Sequence, residues 1–483
     1  MTIFPSTGVD SQNHFVDRVA ARIAPLLPAH SSILAGLSGG VDSVVLLHLL
    51  HKLAARFSWR LSALHVHHGI SPNADAWAEF CAGLCAGHNI SLHVEHVDIA
   101  PLRAHGIEAA ARKLRHAAFA AQECDFVALA HHADDQAETL LLQLLRGAGV
   151  KGAAAMPFAK HLFLHTPSHL AREGEAHHPV LLRPLLDVPR TVLLDYARQH
   201  GLCWIEDESN ADDSYPRNFL RHRVLPLLEQ KFPAYRETLA RSAQHFAEAS
   251  ELLDDLARLD APDLSPSPAS GRGARGEGCT YGDEKQSLLE VARLQALSPP
   301  RARNLLRYFL HVRGAPMPQT MQLDDMLQQL CNARKDASVC ITYGGYWQVR
   351  RYWGKVYALR APGEFDRSLV LPWHGEEHMD WPALDTRLIF SHTRGAGISL
   401  AKLERAPVTM RLRQGGETLR PQPKAATRTL KNLLQEHHVP PWQRDRLPLL
   451  YCGDDLVCVP GVAIAAEYQA VAEEAGISVG LLR

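Results

Sequence analysis

Short apolar runs alternate with amphipathic stretches through the first third of the chain. Ile33 to Leu37 is an apolar run followed by a glycine-rich turn and the helix-patterned Ser43 to Leu53, which predicts strand, loop, helix. Leu61 to Val66 repeats the strand pattern. In Asp75 to Cys85, residues Trp77, Phe80, Cys81 and Leu84 fall at i, i+3, i+4 and i+7, the spacing of one helical face. Ile90 to Val97 predicts a strand, Ile107 to Gln122 a helix, Phe126 to Ala130 a strand and Ala133 to Arg146 a helix. Such alternation predicts a parallel sheet with helices on both faces, an α/β fold.

The pattern then changes. His161 to His178 loses periodicity and predicts a loop insertion before the apolar Leu181 to Leu186. Helical spacing resumes in Arg190 to His200, in Phe219 to Gln230 with an interruption at Pro226, and in Arg236 to Leu259, a linker helix or the start of a second domain. Leu264 to Glu284 contains SPSPASGRGARGEG, too poor in apolar residues to offset the entropy of ordering, and is expected to be disordered. Leu288 to Gly354 predicts a small mixed α/β domain, with helices at Arg301 to Val312 and Thr320 to Cys331 and strands at Ala337 to Tyr343 and Tyr346 to Arg350. From Leu369 the runs are short, β-rich and broken by Pro and Gly, as in Thr386 to Ser391, Val408 to Leu412 and Leu456 to Val459. The expected division is residues 1–225, then 226–362 with an insertion at about 264–284, then 363–483.

A length of 483 residues suits two to four domains, and a net charge of −1 excludes a histone-like composition. Nucleic-acid contact must therefore come from local patches. Residues 300–360 carry 10 Lys/Arg against 3 Asp/Glu, with Tyr308, Tyr343, Tyr346, Trp347, Tyr352 and Trp353 interleaved, and residues 403–446 carry 9 against 4. Both segments offer phosphate contact and the first offers base stacking, although basic surface faces over an aromatic core would give the same pattern. No apolar run approaches the roughly 20 residues of a membrane span, and Met1 to Arg18 has no secretory pattern, so no membrane partner and a cytoplasmic location are expected. The nine Cys form no CxxC pair, which argues for buried reduced thiols.

The sharpest chemical signal is Ser38-Gly39-Gly40-Val41-Asp42-Ser43, between a predicted strand and a predicted helix. Two glycines remove Cβ atoms that would keep phosphate from backbone N–H groups, and the helix N-terminus favours an anion. A Walker loop needs a Lys that is absent here. Asp42 in its place implies Mg²⁺ beside the phosphates. The segment resembles the loop of the PP-loop ATP pyrophosphatase superfamily, whose SGGxDS motif binds the pyrophosphate of ATP, and later segments resemble the tRNA(Ile)-lysidine synthetase family. The resemblance covers the chain apart from the 264–284 insertion. It implies an N-terminal parallel-sheet PP-loop domain of the adenine nucleotide alpha hydrolase-like kind, a helical linker, and two smaller mixed α/β or β-rich C-terminal domains that bind tRNA.

The remaining motifs are read beside that resemblance. His65-Val66-His67-His68-Gly69-Ile70 ends a predicted strand, where ligands bind in open α/β sheets; His67 is assigned to the nucleotide pocket, with zinc or structural histidines as alternatives. Glu108, Arg112 and Arg115 share a helical face, and by resemblance Arg112 serves ATP and catalysis while Arg115 serves the RNA; otherwise they are a surface Glu-Arg pair. His131-His132-Ala133-Asp134-Asp135-Gln136 opens a helix. His132 is assigned to the nucleotide, Asp134 to helix capping, and Asp135 to catalysis and to sharing Mg²⁺ with Asp42. A metal phosphoesterase would cluster the same residues but does not need the upstream phosphate cradle. Trp204 to Arg223, reading WIEDESNADDSYPRNFLRHR, is similar to the family's signature at the end of the catalytic domain. It makes Asp207, Asn210, Arg217, Asn218 and Arg221 candidates for binding substrate.

The resemblance implies that ATP adenylylates the C2 oxygen of the wobble cytidine of an isoleucine tRNA with a CAU anticodon, that L-lysine displaces AMP, and that pyrophosphate is released. DNA is not an expected partner, and a homodimer is left open. A tRNA thiolase of the same superfamily would usually need cysteines for sulfur or a cluster. An RNA-binding protein with a degenerate loop would not keep both SGGVDS and HHADDQ.

Overall fold

The computed structural model describes residues 8–100, 107–162, 179–264, 288–334, 337–361, 363, 365–384 and 386–482. The expected loop from 163 to 178 and the insertion from 265 to 284 lie outside the described residues. The described residues form two compact units, one up to residue 252 and one from residue 253 onward.

The first unit is built as the alternation predicts. Its elements are α1 (Gly8–Ile23), β1 (Ser32–Gly36), α2 (Val41–Phe57), β2 (Arg60–His67), α3 (Ala74–Gly87), β3 (Ser91–His96), α4 (Ile107–Ala120), β4 (Phe126–Ala128), α5 (Ala133–Leu145), α6 (Val150–Ala153), β5 (Ala159–His161), β6 (Val180–Leu182), α7 (Arg190–Gln199), α8 (Pro216–Phe219), α9 (Leu225–Lys231) and α10 (Tyr235–Asp260), the last running on into the second unit. The sheet order is β3-β2-β1-β4-β6-β5, parallel except for the edge strand β5, which pairs antiparallel with β6 and was not legible in the sequence.

Central strand β1 is covered on both faces, which is why its sequence is a continuous apolar run. On one face α2 buries Val44, Val45, Leu46, Leu47, Leu49, Leu50 and Leu53 beside residues of α1 and α7. A helix apolar on nearly every side belongs inside, and truncating one such leucine to alanine costs roughly 2–5 kcal/mol. On the other face Phe119 of α4 packs with Leu34, Leu64, Val127 and Leu181. The chain steps outward from β1 through β2 to β3, then returns to β4 on the opposite side. This reversal opens a crevice at the carboxyl ends of β1 and β4, the place where open α/β sheets bind ligands.

The second unit contains α11 (Val291–Ala296), α12 (Pro299–Val312) and α13 (Thr320–Asn332) with an antiparallel sheet of order β7 (Leu289–Glu290), β10 (Lys355–Arg360), β9 (Trp347–Tyr352), β8 (Val339–Tyr343). Leu264, the first residue of the expected disordered segment, instead ends a short 3-10 turn and is buried in this core. Beyond residue 369 lie a five-stranded and a four-stranded antiparallel sheet, with Trp381, Leu388, Met410, Leu450 and Val457 in their shared core. No helix among the described residues is long and apolar enough to cross a membrane. All the described cysteines are free; Cys81 and Cys85 are buried on α3 as expected, whereas Cys203 and Cys340 are exposed.

Candidate active site

The turn after β1 is held by its own hydroxyls. Ser43 Oγ donates to the Gly40 carbonyl at 2.9 Å and accepts from the Ser38 amide at 3.2 Å. Gly39 has φ of +89°, and a Cβ there would meet Ile205 Cδ1 at 2.7 Å, so this position requires glycine on both conformational and steric grounds. At Gly40 a Cβ would meet only Ser38 Oγ at 3.6 Å; the space it leaves is on the pocket side. No side chain caps α2, which leaves its first-turn amides directed at the crevice. The Gly39 carbonyl accepts from Ile205 N at 2.9 Å, tying the acidic segment from Trp204 to Glu208 to the phosphate turn. Nothing in the sequence signals that backbone contact.

The turn after β4 forms a capping box. His132 N donates to Asp135 Oδ2 at 3.0 Å and Asp135 N donates to His132 Nδ1 at 3.4 Å. Asp134, expected to cap this helix, instead accepts from the Arg190 amide at 2.9 Å and pairs with Arg236. His132 is buried behind the pocket surface, with Nε2 3.6 Å from Asp42 Oδ2 and 3.4 Å from Asp135 Oδ2. Burial alone would lower the His132 pKa, but the hydrogen bond to Asp42 and the charges of Asp135 and Asp134 outweigh it and raise the pKa. His132 therefore sits as a tie between the two acids, not on the pocket surface.

Asp42 Oδ1 has no hydrogen-bond partner, its nearest cation being Arg190 Nε at 3.7 Å. Asp135 is well supplied: Arg217 Nη2 lies at 2.8 Å and Arg221 Nη2 at 3.4 Å. Burial would raise the Asp135 pKa, but His132, Arg217 and His131 hold it below the usual carboxylate range. Glu138, one turn on and fully buried, takes Arg217 Nε at 2.6 Å and Arg221 Nε at 2.7 Å. The two arginines come from α8 and the π-helical turn Leu220–Val224 just before Pro226, which has no N–H to continue the ladder. Glu138 was missed in the sequence, although its i+3 spacing from Asp135 matches the i+4 spacing of the arginines.

These walls enclose a pocket of about 1,630 Å³, more than the roughly 300–1,000 Å³ typical of a single small ligand. Ser38, Gly40, Val41, Asp42, Ser43, His67, Arg112, Arg115, Asp135, Asp207, Arg217 and Arg221 all line it. Gly39 lies under the turn, and Asn218 turns inward, donating from Nδ2 to the Asp212 carbonyl at 2.9 Å. The side chain of Asn210 lies outside the described residues. His67 Nε2 is 3.0 Å from Asp75 Oδ1, while His65 Nδ1 is 2.9 Å from the Leu37 carbonyl, so His65 is a structural histidine. Arg115 is surrounded by protein atoms yet open to the pocket, with Nη2 3.3 Å from His68 Nε2.

Neither the zinc nor the two-metal reading gains support: no group of three or more His, Cys, Asp or Glu among the described residues could hold a metal. A magnesium ion needs less, one or two carboxylates completed by phosphates and water, and the orphan oxygen of Asp42 fits that requirement. Asp135, with its oxygens already engaged, fits it less well.

The sequence is similar to known proteins along most of its length. Residues 11–228 match the family model described as PP-loop domain, residues 289–357 the TilS substrate binding domain, and residues 408–481 the TilS substrate C-terminal domain. The chain is 42% identical over 433 residues to a tRNA(Ile)-lysidine synthase of Nitrosomonas europaea, covering 90% of this chain and 88% of that protein. It is 37% identical over 455 residues to the Coxiella burnetii protein of the same name, covering 94% of each. Similarity of this extent places it: the chain belongs to the tRNA(Ile)-lysidine synthase family.

Proposed function

We propose that this chain uses ATP to join L-lysine to C2 of the wobble cytidine of tRNA(Ile) bearing a CAU anticodon, through an adenylylated RNA and with release of AMP and pyrophosphate. The observation that carries the reading is the convergence of an uncapped helix N-terminus, an acidic segment and a cationic wall in one pocket too large for a nucleotide alone. The phosphate turn and α2 amides would hold the pyrophosphate of ATP. Mg²⁺, coordinated through Asp42, would neutralise the departing charge. Arg112 would assist at the reacting phosphate, which is why it is assigned a catalytic role.

An amide-like oxygen leaves poorly, so activation of C2 is needed before an amine can attack. Asp135 and the acidic residues Glu206, Asp207 and Glu208 line the pocket and supply charge opposite to an ammonium. The depressed pKa of Asp135 suits holding lysine better than accepting its proton. Arg217 and Arg221, being paired with Asp135 and Glu138, would fix that acid in place as well as touch substrate. The finer division into residues 1–225, 226–362 and 363–483, the last two serving tRNA, and a cytoplasmic setting complete the proposal.

The test is incubation with ATP, Mg²⁺, labelled lysine and unmodified tRNA(Ile) of CAU anticodon. Label that stays on the RNA through mild alkaline deacylation, and that is lost in Asp42→Ala, supports the reading. Label equally stable on a tRNA with another anticodon overturns the substrate assignment.

A further inference from the structure

Positive charge from three separate elements collects at and behind one wall of the pocket, with Arg112, Arg115 and His116 of α4 at its surface. Lys160 on β5 lies opposite Leu181 on β6, so their side chains share a face of the sheet, and Arg183, two residues beyond Leu181 and joined to Phe158 by a backbone hydrogen bond of 2.9 Å, continues that face. Leu181 packs with Ala118 and Phe119 of α4, which identifies this as the face that α4 covers. Arg112, Arg115 and His116, at i, i+3 and i+4 on α4, line the pocket above it. The sheet register and the helix period therefore bring five basic side chains to one place.

Their electrostatic neighbours are one another. The charges acting on His116 are those of Arg112, Arg183, Lys160 and Arg115; those on Lys160 are Arg183 and Arg112; and the one on Arg183 is Arg112. Among the described residues, no carboxylate is among the leading charges acting on any of the three. Burial first and these neighbours second push His116 down to about 4 and Arg183 to about 10. His131 experiences Asp135 together with Arg183, Arg217 and Arg112. Arg183 is 4% exposed, donates from Nη1 to the Pro157 carbonyl at 2.6 Å, and keeps a buried Nε without a partner. His131 Nδ1 is likewise buried and unpartnered. Uncompensated donors and cations so close together are costly unless an anion completes them.

We propose that Lys160, Arg183 and His116, with Arg112, form a phosphate subsite that receives a backbone phosphodiester of the RNA beside the reacting nucleotide. The phosphates of ATP would have their own cradle at Ser38 to Ser43, which is why the RNA is the favoured source. The inference rests on the tRNA reading above and adds positioning residues that the sequence did not reveal. Arg183 would hold the phosphate from below, and Lys160, exposed on the edge strand, would close on it from the rim.

The test uses the full chain with Lys160→Gln, His116→Asn and Arg183→Lys, the last keeping the buried charge in case Arg183→Gln does not fold. Dissociation constants for unmodified tRNA(Ile) and, separately, for ATP are measured across a salt series. Lys160→Gln is expected to weaken tRNA binding roughly fivefold near 0.1 M salt and to reduce the slope of log affinity against log salt by about 0.7, the value for one lost single-strand phosphate contact; His116→Asn and Arg183→Lys, which remove no charge, should weaken binding with the slope unchanged. ATP affinity should not move. Weakened ATP binding with unchanged tRNA binding would assign the subsite to the nucleotide and overturn the RNA source; unchanged binding of both would overturn the subsite. Because the readout is binding, a wild-type protein that binds this tRNA but transfers no lysine would refute the proposed reaction and leave this result standing.

Discussion

Two groups of basic side chains in this chain are opposites in structure, and only one of them stands out in the sequence. Along α4 and the β5-β6 edge, Arg112, Arg183, Lys160 and His116 act on one another, and no acid is among the leading charges on the last three in the described residues. In residues 300–360 of the second unit, the larger excess of Lys and Arg is mostly spent on internal partners. Arg301 pairs with Asp260, Arg303 with Asp324 and Arg307 with Asp254, while Arg351 is buried against the Leu330 and Ala333 carbonyls. Asp254 and Asp260 come from α10, outside the window in which the charges were counted. The aromatics divide similarly: Tyr308, Tyr343 and Trp347 are core, and Tyr346 and Trp353 are exposed. A local excess of charge thus identifies a binding surface only when the fold brings no counter-charge to it.

Substitutions in the two regions sharpen this contrast. The largest effect is expected for Glu138→Ala, which leaves Arg217 and Arg221 without their fully buried partner. It should destabilise the first unit by about 3–5 kcal/mol in denaturant unfolding, and a loss below about 1 kcal/mol would mean that the arginines rearrange freely. Arg112→Gln should lower kcat/KM for lysine transfer about a hundredfold while leaving unfolding unchanged, because Arg112 has no acceptor among the described residues. Arg307→Gln should do the reverse, costing about 1 kcal/mol of stability with tRNA affinity intact. A drop in tRNA affinity without loss of stability at Arg307 would erase the distinction between the regions.

The smallest effect is a pH dependence. His116 is held at about 4 by burial and its cationic neighbours, and His48 at about 4 by burial and then Lys52, His200, His88 and His51. Both values lie below the ordinary 6.5, so the folded protein binds fewer protons than the unfolded chain between those limits. Their contribution to stability is complete above pH 6.5 and is lost as the pH falls towards 4. Melting temperature measured from pH 7.5 to 5 should fall for the wild type and fall less for His116→Gln; parallel curves would show that His116 is not the group responsible.

Much of the first unit was legible because its signals are local. A run buried on both faces reads as β1, a turn that needs φ above zero reads as Gly39, and the i, i+4 spacing of Arg217 and Arg221 reads as one face. What the sequence withheld depends on long-range register. The antiparallel pairing of β5 places Lys160, the backbone contact from Ile205 fixes the acidic segment, and the distant Arg190 and Arg236 engage Asp134, which was expected to cap α5. The site therefore showed its chemistry in one dimension and its division of labour only in three.

The most direct test of the account is nucleoside analysis of tRNA(Ile) of CAU anticodon after reaction with the purified protein, ATP, Mg²⁺ and L-lysine. The account predicts that the wobble cytidine is converted to a lysine-bearing nucleoside, that AMP and pyrophosphate form in equal amounts with it, and that Asp42→Ala yields none. An unmodified wobble cytidine under conditions in which the tRNA is bound and ATP is consumed would contradict it.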